Sequence, residues 1–258
     1  MIEKINNDDL KILPGSGPFY FEGNNIGVLM IHGGGGGTCA DLKPLAEELH
    51  KTLEYTVYVP LLPGYGTTPE VLKNITINEW KRTIEYEIDH LNQKCKKIVV
   101  GGHSIGGVLT LIFASKYSFD GIFTISAPFG IKRLVVKFIP FFKIFIKYYP
   151  IKWHKLEKET NGKWVGYKKM PLNIATKVKV LLKEMKKVLL KIECPALLLQ
   201  GRLDSNIKPN SMDEIFNRIN SKNKRKIWLE NNDHSILNSP DHQRIFSELI
   251  KFISEICN

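Results

Sequence analysis

The chain has 258 residues, of which 43% are hydrophobic and 24% charged. This length and composition exclude a disordered protein and suit one sizeable hydrophobic core or two modest ones. The formal net charge of +11 is unevenly distributed, because residues 131–191 carry 17 basic and 3 acidic side chains. No recognition motif accompanies this charge, which argues against a nucleic-acid partner.

The N-terminal stretch MIEKINNDDLKILPGSG is polar and lacks the basic and apolar regions of a secretory signal, so we expect a cytoplasmic protein. The most apolar stretch, residues 134–151, is interrupted by three lysines, which argues against a transmembrane helix. The four cysteines lie far apart without zinc-site spacing. We therefore predict no disulfide framework, no metal and no cofactor.

Short apolar runs alternate with helical patterns along most of the chain. Continuously apolar strands suit a parallel sheet that is covered on both faces. The alternation predicts an α/β fold with a doubly wound, mostly parallel sheet. The predicted strands span residues 26–32, 55–60, 97–102, 121–126, 195–200 and 226–230, and the predicted helices span residues 41–53, 76–93, 105–117, 210–220 and 241–256.

The alternation stops after Pro128 and resumes near Glu193, and this interruption coincides with the basic segment. We interpret residues 130–191 as a basic, aromatic-rich helical cap, inserted into a core formed by residues 1–129 and 192–258. The cap is expected over the carboxyl ends of the strands.

Aromatic residues recur at helical spacing in the first part of the cap. The simpler interpretation is that this face packs on the core. The alternative is that it lines an acyl pocket, while the positive charge attracts anionic lipid surfaces or acidic substrates. Trp153, Trp164 and Tyr167 could then act as interfacial anchors. The aromatic residues are Phe138, Phe141, Phe142, Phe145 and Tyr149.

The segment KIVVGGHSIGG contains the pattern G-x-S-x-G, formed by Gly102, Ser104 and Gly106. The motif stands between a predicted strand and an apolar helix, where a sharp turn exposes a nucleophile above the sheet. Glycine is needed there because a side chain would clash with neighbouring backbone. Ser104 is therefore the candidate nucleophile.

A nucleophilic serine needs a histidine base and an acid, which follow the serine in the chain order Ser, Asp or Glu, His. Asp204 and His234 each come just after a predicted strand, at the sheet edge where open α/β folds build their sites. Three other acids have less suitable positions, in or beside helices or next to the histidine: Asp213, Asp233 and Asp241.

The oxyanion of an acyl-transfer intermediate needs two preorganised N–H donors. One is expected from Ile105, which follows the nucleophile, and the other from the loop after an early strand. That loop is the run HGGGGG, residues 32–37. Because five glycines exceed what two donors require, we expect a flexible or unusually open pocket floor.

Five motifs, HGGGGG, PLLPGYG, GHSIGG, GRLDSNIKP and NDHSI, resemble in order and spacing the α/β-hydrolase superfamily. Within it the chain is similar to small bacterial carboxylesterases and monoacylglycerol lipases. The resemblance implies a serine hydrolase that cleaves small-molecule acyl esters, lipid-derived ones among them, with an acyl-enzyme intermediate. It implies the triad Ser104, Asp204 and His234 and N–H donors from Ile105 and Gly34, with Gly35 as the alternative to Gly34.

The chain departs from this family pattern in two places. Relatives commonly have a bulky residue where Gly34 stands, and the cap is unusually basic. Thioester cleavage, acyl transfer and a non-catalytic membrane-docking role remain alternatives on the same fold.

A dinucleotide site is a further alternative, because Gly35, Gly37 and Ala40 fit G-x-G-x-x-A. It is disfavoured because the acidic residue Glu54 precedes its strand instead of ending it. A P-loop is excluded because no Lys-Ser or Lys-Thr follows the glycines.

Overall fold

The computed structural model describes residues 11–131, 147–160, 162 and 164–257. Its main feature is a seven-stranded sheet, accompanied by a separate two-stranded ribbon formed by residues 148–150 and 169–171. In chain order the strands are β1 (Phe19–Phe21), β2 (Ile26–Ile31), β3 (Thr56–Val59), β4 (Lys97–His103), β5 (Gly121–Ile125), β6 (Tyr148–Pro150), β7 (Lys169–Pro171), β8 (Ala196–Gly201) and β9 (Lys224–Leu229).

The strand order in the large sheet is β1-β3-β2-β4-β5-β8-β9, and every neighbouring pair is parallel except β1 with β3. The predicted mostly parallel sheet is therefore confirmed. All six predicted strands are present, with ends that differ by at most two residues. The additional strand β1 is only three residues long and was not predicted, because so short a run carries no clear periodicity.

Helices cover both faces of the sheet. Strand side chains alternate between two apolar clusters, so Val28 and Met30 of β2 point to one face, and Leu29 and Ile31 to the other. The described helices are α1 (Lys43–Leu53), α2 (Pro69–Asn74), α3 (Ile77–Lys94), α4 (Ile105–Ala114), α5 (Trp153–Glu159), α6 (Asn173–Val188), α7 (Ser211–Arg218) and α8 (His242–Cys257).

Helices α1 and α8 contribute to the first cluster, whereas α3, α4, α6 and α7 contribute to the second. Helix α4 is buried along its whole length, which explains its continuously apolar sequence. Helix α3 begins with a capping box, in which Thr76 and Glu79 satisfy each other's backbone N–H groups. This doubly wound arrangement brings the carboxyl ends of the parallel strands to one edge of the sheet.

The described part of the basic segment is only partly helical. It holds α5, α6 and the 3₁₀ turn Leu189–Lys191, and also the antiparallel ribbon of β6 and β7. Tyr149, which was expected on the aromatic helix face, lies in β6. The four phenylalanines predicted to line an acyl pocket, Phe138, Phe141, Phe142 and Phe145, lie outside the described residues.

Helix α6 packs on the core, because Ile174, Val178 and Leu181 belong to the same apolar cluster as α4. Tyr167 is also buried, so the hypothesis that it anchors the protein in a membrane interface is wrong for this residue. Trp153 and Trp164 are half-buried.

Within the described ranges, no helix is both long enough and apolar enough to cross a bilayer. The same residues contain no cluster of side chains suited to a metal ion. All four cysteines are free thiols, and only Cys194 has noticeable exposure.

Candidate active site

Ser104 stands at the turn between β4 and α4, with φ +54° and ψ −115°. Such a backbone is strained for a side-chain residue, and it projects the serine above the sheet. A Cβ on Gly102 would overlap the backbone of Gly106, and a Cβ on Gly106 would overlap the carbonyl of Ile31. The two glycines of the motif therefore let this turn pack directly against β2 and α4.

His234 and Asp204 lie beside this serine. The hydroxyl Oγ of Ser104 is 3.0 Å from Nε2 of His234, and Nδ1 of His234 is 2.7 Å from Oδ2 of Asp204. The two partners follow β9 and β8, and parallel strands end at the same edge of the sheet. The fold thus brings together three residues that are far apart in the chain.

The carboxylate of Asp204 is buried and fully hydrogen-bonded. Its Oδ1 accepts the backbone N–H groups of Asn206 at 2.9 Å and Ile207 at 3.2 Å. Burial alone would raise the pKa of Asp204, but the hydrogen bond and electrostatic effect of His234, with the two N–H groups, outweigh it and lower the pKa. Asp204 is therefore ionised at neutral pH.

The competing acids have other partners. Asp213 pairs with Lys226 at 2.5 Å, and Asp241 accepts from the amide of Asn232 at 2.6 Å. Asp233 pairs with Lys155 of α5 at 3.1 Å and accepts the backbone N–H of Ser235. Each carboxylate is thus engaged away from the imidazole of His234.

The N–H groups proposed as oxyanion donors are free of partners among the described residues, as they must be to bind a substrate oxygen. This holds for Gly34, Gly35 and Ile105, the last at the N-terminus of α4. A free N–H at a helix start also benefits from the helix dipole. Gly34 and Gly35 both remain candidates for the second donor.

His32 supports the start of the glycine loop. It is fully buried, its Nε2 accepts the N–H of Leu62 at 3.1 Å, and its Nδ1 is 2.8 Å from the carbonyl of Gly33. Because Nε2 accepts, the proton is on Nδ1, which donates to Gly33. Burial lowers the pKa of His32 to about 4, so the ring is neutral at physiological pH.

The glycine run does not form the open floor that was expected. Four of its glycines are buried, and a Cβ on any of them would come within 3.0 Å of another side chain. Gly35 alone is exposed, with nothing near its missing Cβ. The neighbours are His103 for Gly33, Ile105 and Tyr65 for Gly34, Ile151 for Gly36, and Asp41 for Gly37.

A family model described as serine aminopeptidase, S33 (Hydrolase_4) matches residues 23–241, which include the glycine loop, Ser104, Asp204 and His234. The chain belongs to this Hydrolase_4 family. The match spans strands β2 to β9 and the inserted segment, and it ends just before α8. The dinucleotide alternative needs an acidic residue at the end of a strand, but Glu54 is the C-cap of α1, with a left-handed backbone.

The relatives of this Hydrolase_4 chain include proteins named as lipases and esterases. It is 31% identical over 250 residues to a thermostable monoacylglycerol lipase from Bacillus sp. (strain H-257), covering 96% of this chain and 98% of the relative. It is 25% identical over 243 residues to a carboxylesterase from Bacillus subtilis (strain 168), covering 93% and 96%.

Among solved structures, one from work on the metagenome-derived lipolytic enzymes LipS and LipT matches with a TM-score of 0.87 and 28% identity, covering 95% of this chain and 100% of that one. The resemblance to the α/β hydrolases is thus confirmed, and this Hydrolase_4 member is a carboxylic ester hydrolase.

Two residues that support His234 were not found from the sequence. His103 Nε2 donates to the backbone carbonyl of His234 at 3.1 Å, and the hydroxyl of Ser126 donates to the same oxygen at 3.2 Å. Ser126 has φ +50°, a strained backbone value, and its hydroxyl points to the carbonyl of His234. His103 was visible as the neighbour of Ser104, but nothing in the sequence pairs either residue with a loop more than 100 positions away.

Proposed function

We propose that this protein hydrolyses lipid-derived carboxylic esters of the monoacylglycerol type, with Ser104 as nucleophile and an acyl-enzyme intermediate. The observation that carries the mechanism is the continuous hydrogen-bonded series from Ser104 Oγ through the His234 ring to Asp204, at 3.0 and 2.7 Å. The ester class is supported by the similarity to the monoacylglycerol lipase. Serine is a weak nucleophile by itself, and this geometry supplies the base that it needs.

In the proposed reaction, Ser104 Oγ attacks the ester carbonyl while Nε2 of His234 takes its proton. Asp204 holds the imidazole in the required tautomer and stabilises the imidazolium that forms. The proton then passes to the leaving alcohol, which leaves an acyl group on Ser104. Water, activated by the same histidine, releases the fatty acid.

The N–H of Ile105 and the N–H of Gly34 or Gly35 would bind the developing oxyanion. Donors aimed in advance at the developing charge make the largest contributions to such reactions, each worth roughly 2.7 to 4 kcal/mol. The packing of the glycine run supports this role, because a loop without side chains allows its backbone to approach the substrate.

Ester hydrolysis and labelling of the nucleophile test the mechanism. A fluorophosphonate should label Ser104, and the enzyme should cleave monoacylglycerols and p-nitrophenyl esters. Ser104→Ala and His234→Ala should lose turnover by a factor of about 10⁴ or more while remaining folded, as in other triad enzymes.

Ser247→Ala, which alters an exposed serine on α8, is the matched control and should retain activity. Turnover in a folded Ser104→Ala variant would contradict the assignment. A panel of acyl chains from two to sixteen carbons, with monoacylglycerols and an acyl thioester included, tests the substrate class. Preference for the thioester would replace the ester proposal.

We also propose that the inserted segment attracts the enzyme to anionic lipid surfaces. Helix α6 and the turn after it expose Lys183, Lys187 and Lys191 together with the apolar side chain of Leu190, which is 74% exposed. Each lysine near an anionic membrane is worth about 1 kcal/mol, and the attraction decreases with salt.

Cosedimentation with vesicles containing or lacking phosphatidylserine tests this surface. Binding should be confined to the anionic vesicles and should decrease in the double variant Lys183→Glu/Lys187→Glu. The control Lys51→Glu/Lys222→Glu makes the same change in net charge elsewhere and should bind like the wild type. Equal binding to neutral vesicles, or none to either kind, would refute the proposal.

We propose that the protein is located in the cytoplasm. This location is supported by the four free thiols, because paired cysteines are characteristic of proteins in oxidising compartments. Cell fractionation that places the protein outside the cytoplasm would contradict it.

A further inference from the structure

The glycine loop is held by its carbonyl oxygens. Glycine loses more conformational freedom on folding than any other residue, so a run of five needs external contacts to keep one conformation. Three of its carbonyls accept hydrogen bonds from outside the run. The donors are His32 Nδ1 to Gly33 at 2.8 Å, the Tyr65 hydroxyl to Gly34 at 3.3 Å, and the Tyr167 backbone N–H to Gly36 at 2.9 Å.

These contacts also orient the N–H groups. A trans peptide is planar, so its C=O and the N–H of the next residue point in opposite directions. The bond from Tyr65 to the carbonyl of Gly34 therefore directs the N–H of Gly35 away from Tyr65. In the same way, the hydrogen bond from His32 to the carbonyl of Gly33 directs the N–H of Gly34 away from His32.

Tyr167 reaches the loop by a second route. Its hydroxyl donates to the carbonyl of Gly64 and accepts the N–H of Thr67 at 3.1 Å. Gly64 and Thr67 flank Tyr65 in the chain, so Tyr167 holds the turn that carries the other tyrosine. The inserted segment is thus connected to the glycine loop both directly, at Gly36, and through Tyr65.

The neighbours of Tyr167 add to this connection. The hydroxyl of Thr38 donates to the carbonyl of Val165 at 3.0 Å, and Gly166 packs so tightly on the carbonyl of Gly36 that a Cβ would overlap it. Burial raises the pKa of both Tyr65 and Tyr167, so each hydroxyl remains a donor at any ordinary assay pH.

We propose that Tyr65 and Tyr167 are positioning residues for the oxyanion hole, and that through Tyr167 the inserted segment sets the rate of acyl transfer. Neither tyrosine touches the reacting atoms in this scheme. Their hydroxyls keep the N–H donors aimed at the oxyanion, so their removal weakens binding of the transition state more than binding of the substrate. This inference rests on the proposed function of the glycine loop.

The variants Tyr65→Phe and Tyr167→Phe remove only the hydroxyl oxygens. We expect kcat to fall about tenfold in each, less than the loss of a whole oxyanion donor, while KM changes less than twofold. A boronic-acid transition-state analogue should bind more weakly by the same factor. The double variant should lose less than the product of the two factors, because both hydroxyls act on one loop.

Tyr117→Phe is the matched control, because its hydroxyl has no hydrogen-bond partner among the described residues. Near-wild-type kcat in both folded tyrosine variants would overturn the proposal. A rise in KM at constant kcat would also overturn it, since that result indicates substrate contact. Failure of the underlying function is distinct, because the wild-type enzyme itself would then neither cleave esters nor bind the boronic acid.

Discussion

Asp204 shows how much a single residue depends on its surroundings. Its carboxylate accepts two backbone N–H groups and faces the His234 ring at 2.7 Å. These contacts overcome the effect of burial and lower its pKa, so it stays ionised even in mildly acidic solution. In the proposed triad, a loss of activity on mild acidification would therefore not report protonation of Asp204.

Replacement of Asp204 by asparagine tests this arrangement. Asp204→Asn keeps the shape of the side chain but offers an amide that favours the wrong imidazole tautomer, so kcat should fall by about 10⁴ with little change in fold. Steady-state kinetics and circular dichroism measure the two effects. The neighbouring variant Asp233→Asn is the control, because Asp233 pairs with Lys155, and it should retain most of the activity. If Asp233→Asn lost more activity than Asp204→Asn, Asp233 and not Asp204 would be the acid of the triad.

The glycine loop belongs to the scale of the structural element. Gly36 has φ +100° and a Cβ there would overlap Ile151, whereas Gly35 has ordinary φ and open space around it. Gly36→Ala should therefore destabilise the fold by about 1 to 3 kcal/mol and lower activity, while Gly35→Ala should leave stability unchanged. Thermal unfolding measures both, and equal stability of the two variants would contradict the packing described.

Helix α6 is attached to α2 by a half-buried lysine. The ammonium group of Lys177 donates to the carbonyls of Leu72 at 3.2 Å, Lys73 at 3.4 Å and Ile75, and it lies 5.4 Å from the centroid of the Trp80 ring. It satisfies carbonyls at the end of α2 that the helix itself leaves unpaired.

Lys177→Met should keep the apolar stem and lose these hydrogen bonds. We expect a decrease of about 2 kcal/mol in the free energy of unfolding, because hydrogen bonds to a charged group are worth more than neutral ones. Lys183→Met changes an exposed lysine on the same helix and should have little effect. If both variants are equally stable, the contact with α2 contributes nothing measurable.

Two buried histidines influence the stability of the whole molecule. Burial lowers the pKa of both His32 and His103 to about 4, from 6.5 for an exposed ring. Both rings are thus neutral in the fold but gain a proton in the unfolded chain as the pH falls below 6.5. The stabilisation that each neutral ring contributes to the free energy of unfolding is complete above about pH 6.5. It is lost as the pH falls from 6.5 through 4, by about 3 kcal/mol for each ring.

Urea unfolding at pH 7 and pH 4.5 tests this dependence. Burial raises the pKa of Asp41 to about 7, which acts in the opposite direction, so a variant must isolate the histidine. In His103→Gln, which can still donate to the His234 carbonyl, the acid-dependent loss should be smaller than in the wild type by up to about 3 kcal/mol. His154→Gln, at an exposed position, should behave like the wild type. An unchanged pH dependence in His103→Gln would refute the effect.

Most of the fold could be predicted because local patterns decide it. Continuous apolar runs such as residues 97–102 and 195–200 became β4 and β8 almost without change. Strand β1 could not be predicted, because it exists only through pairing with β3, and the ribbon of β6 and β7 depends equally on long-range contacts. The helical cap remains a prediction, and the described part of it contains this ribbon beside its helices.

For the candidate site, the sequence by itself determined which residue types stand at the strand ends, because the turn at Ser104 and the order of Asp204 and His234 follow from spacing. Only the tertiary structure decided what holds them. His103 and Ser126 donate hydrogen bonds to the carbonyl of His234. Tyr65 and Tyr167 donate hydrogen bonds to carbonyls of the glycine loop. Every residue has the same backbone carbonyl, so the sequence of five glycines does not indicate which side chains or N–H groups will donate to them. Only the fold determines these donors.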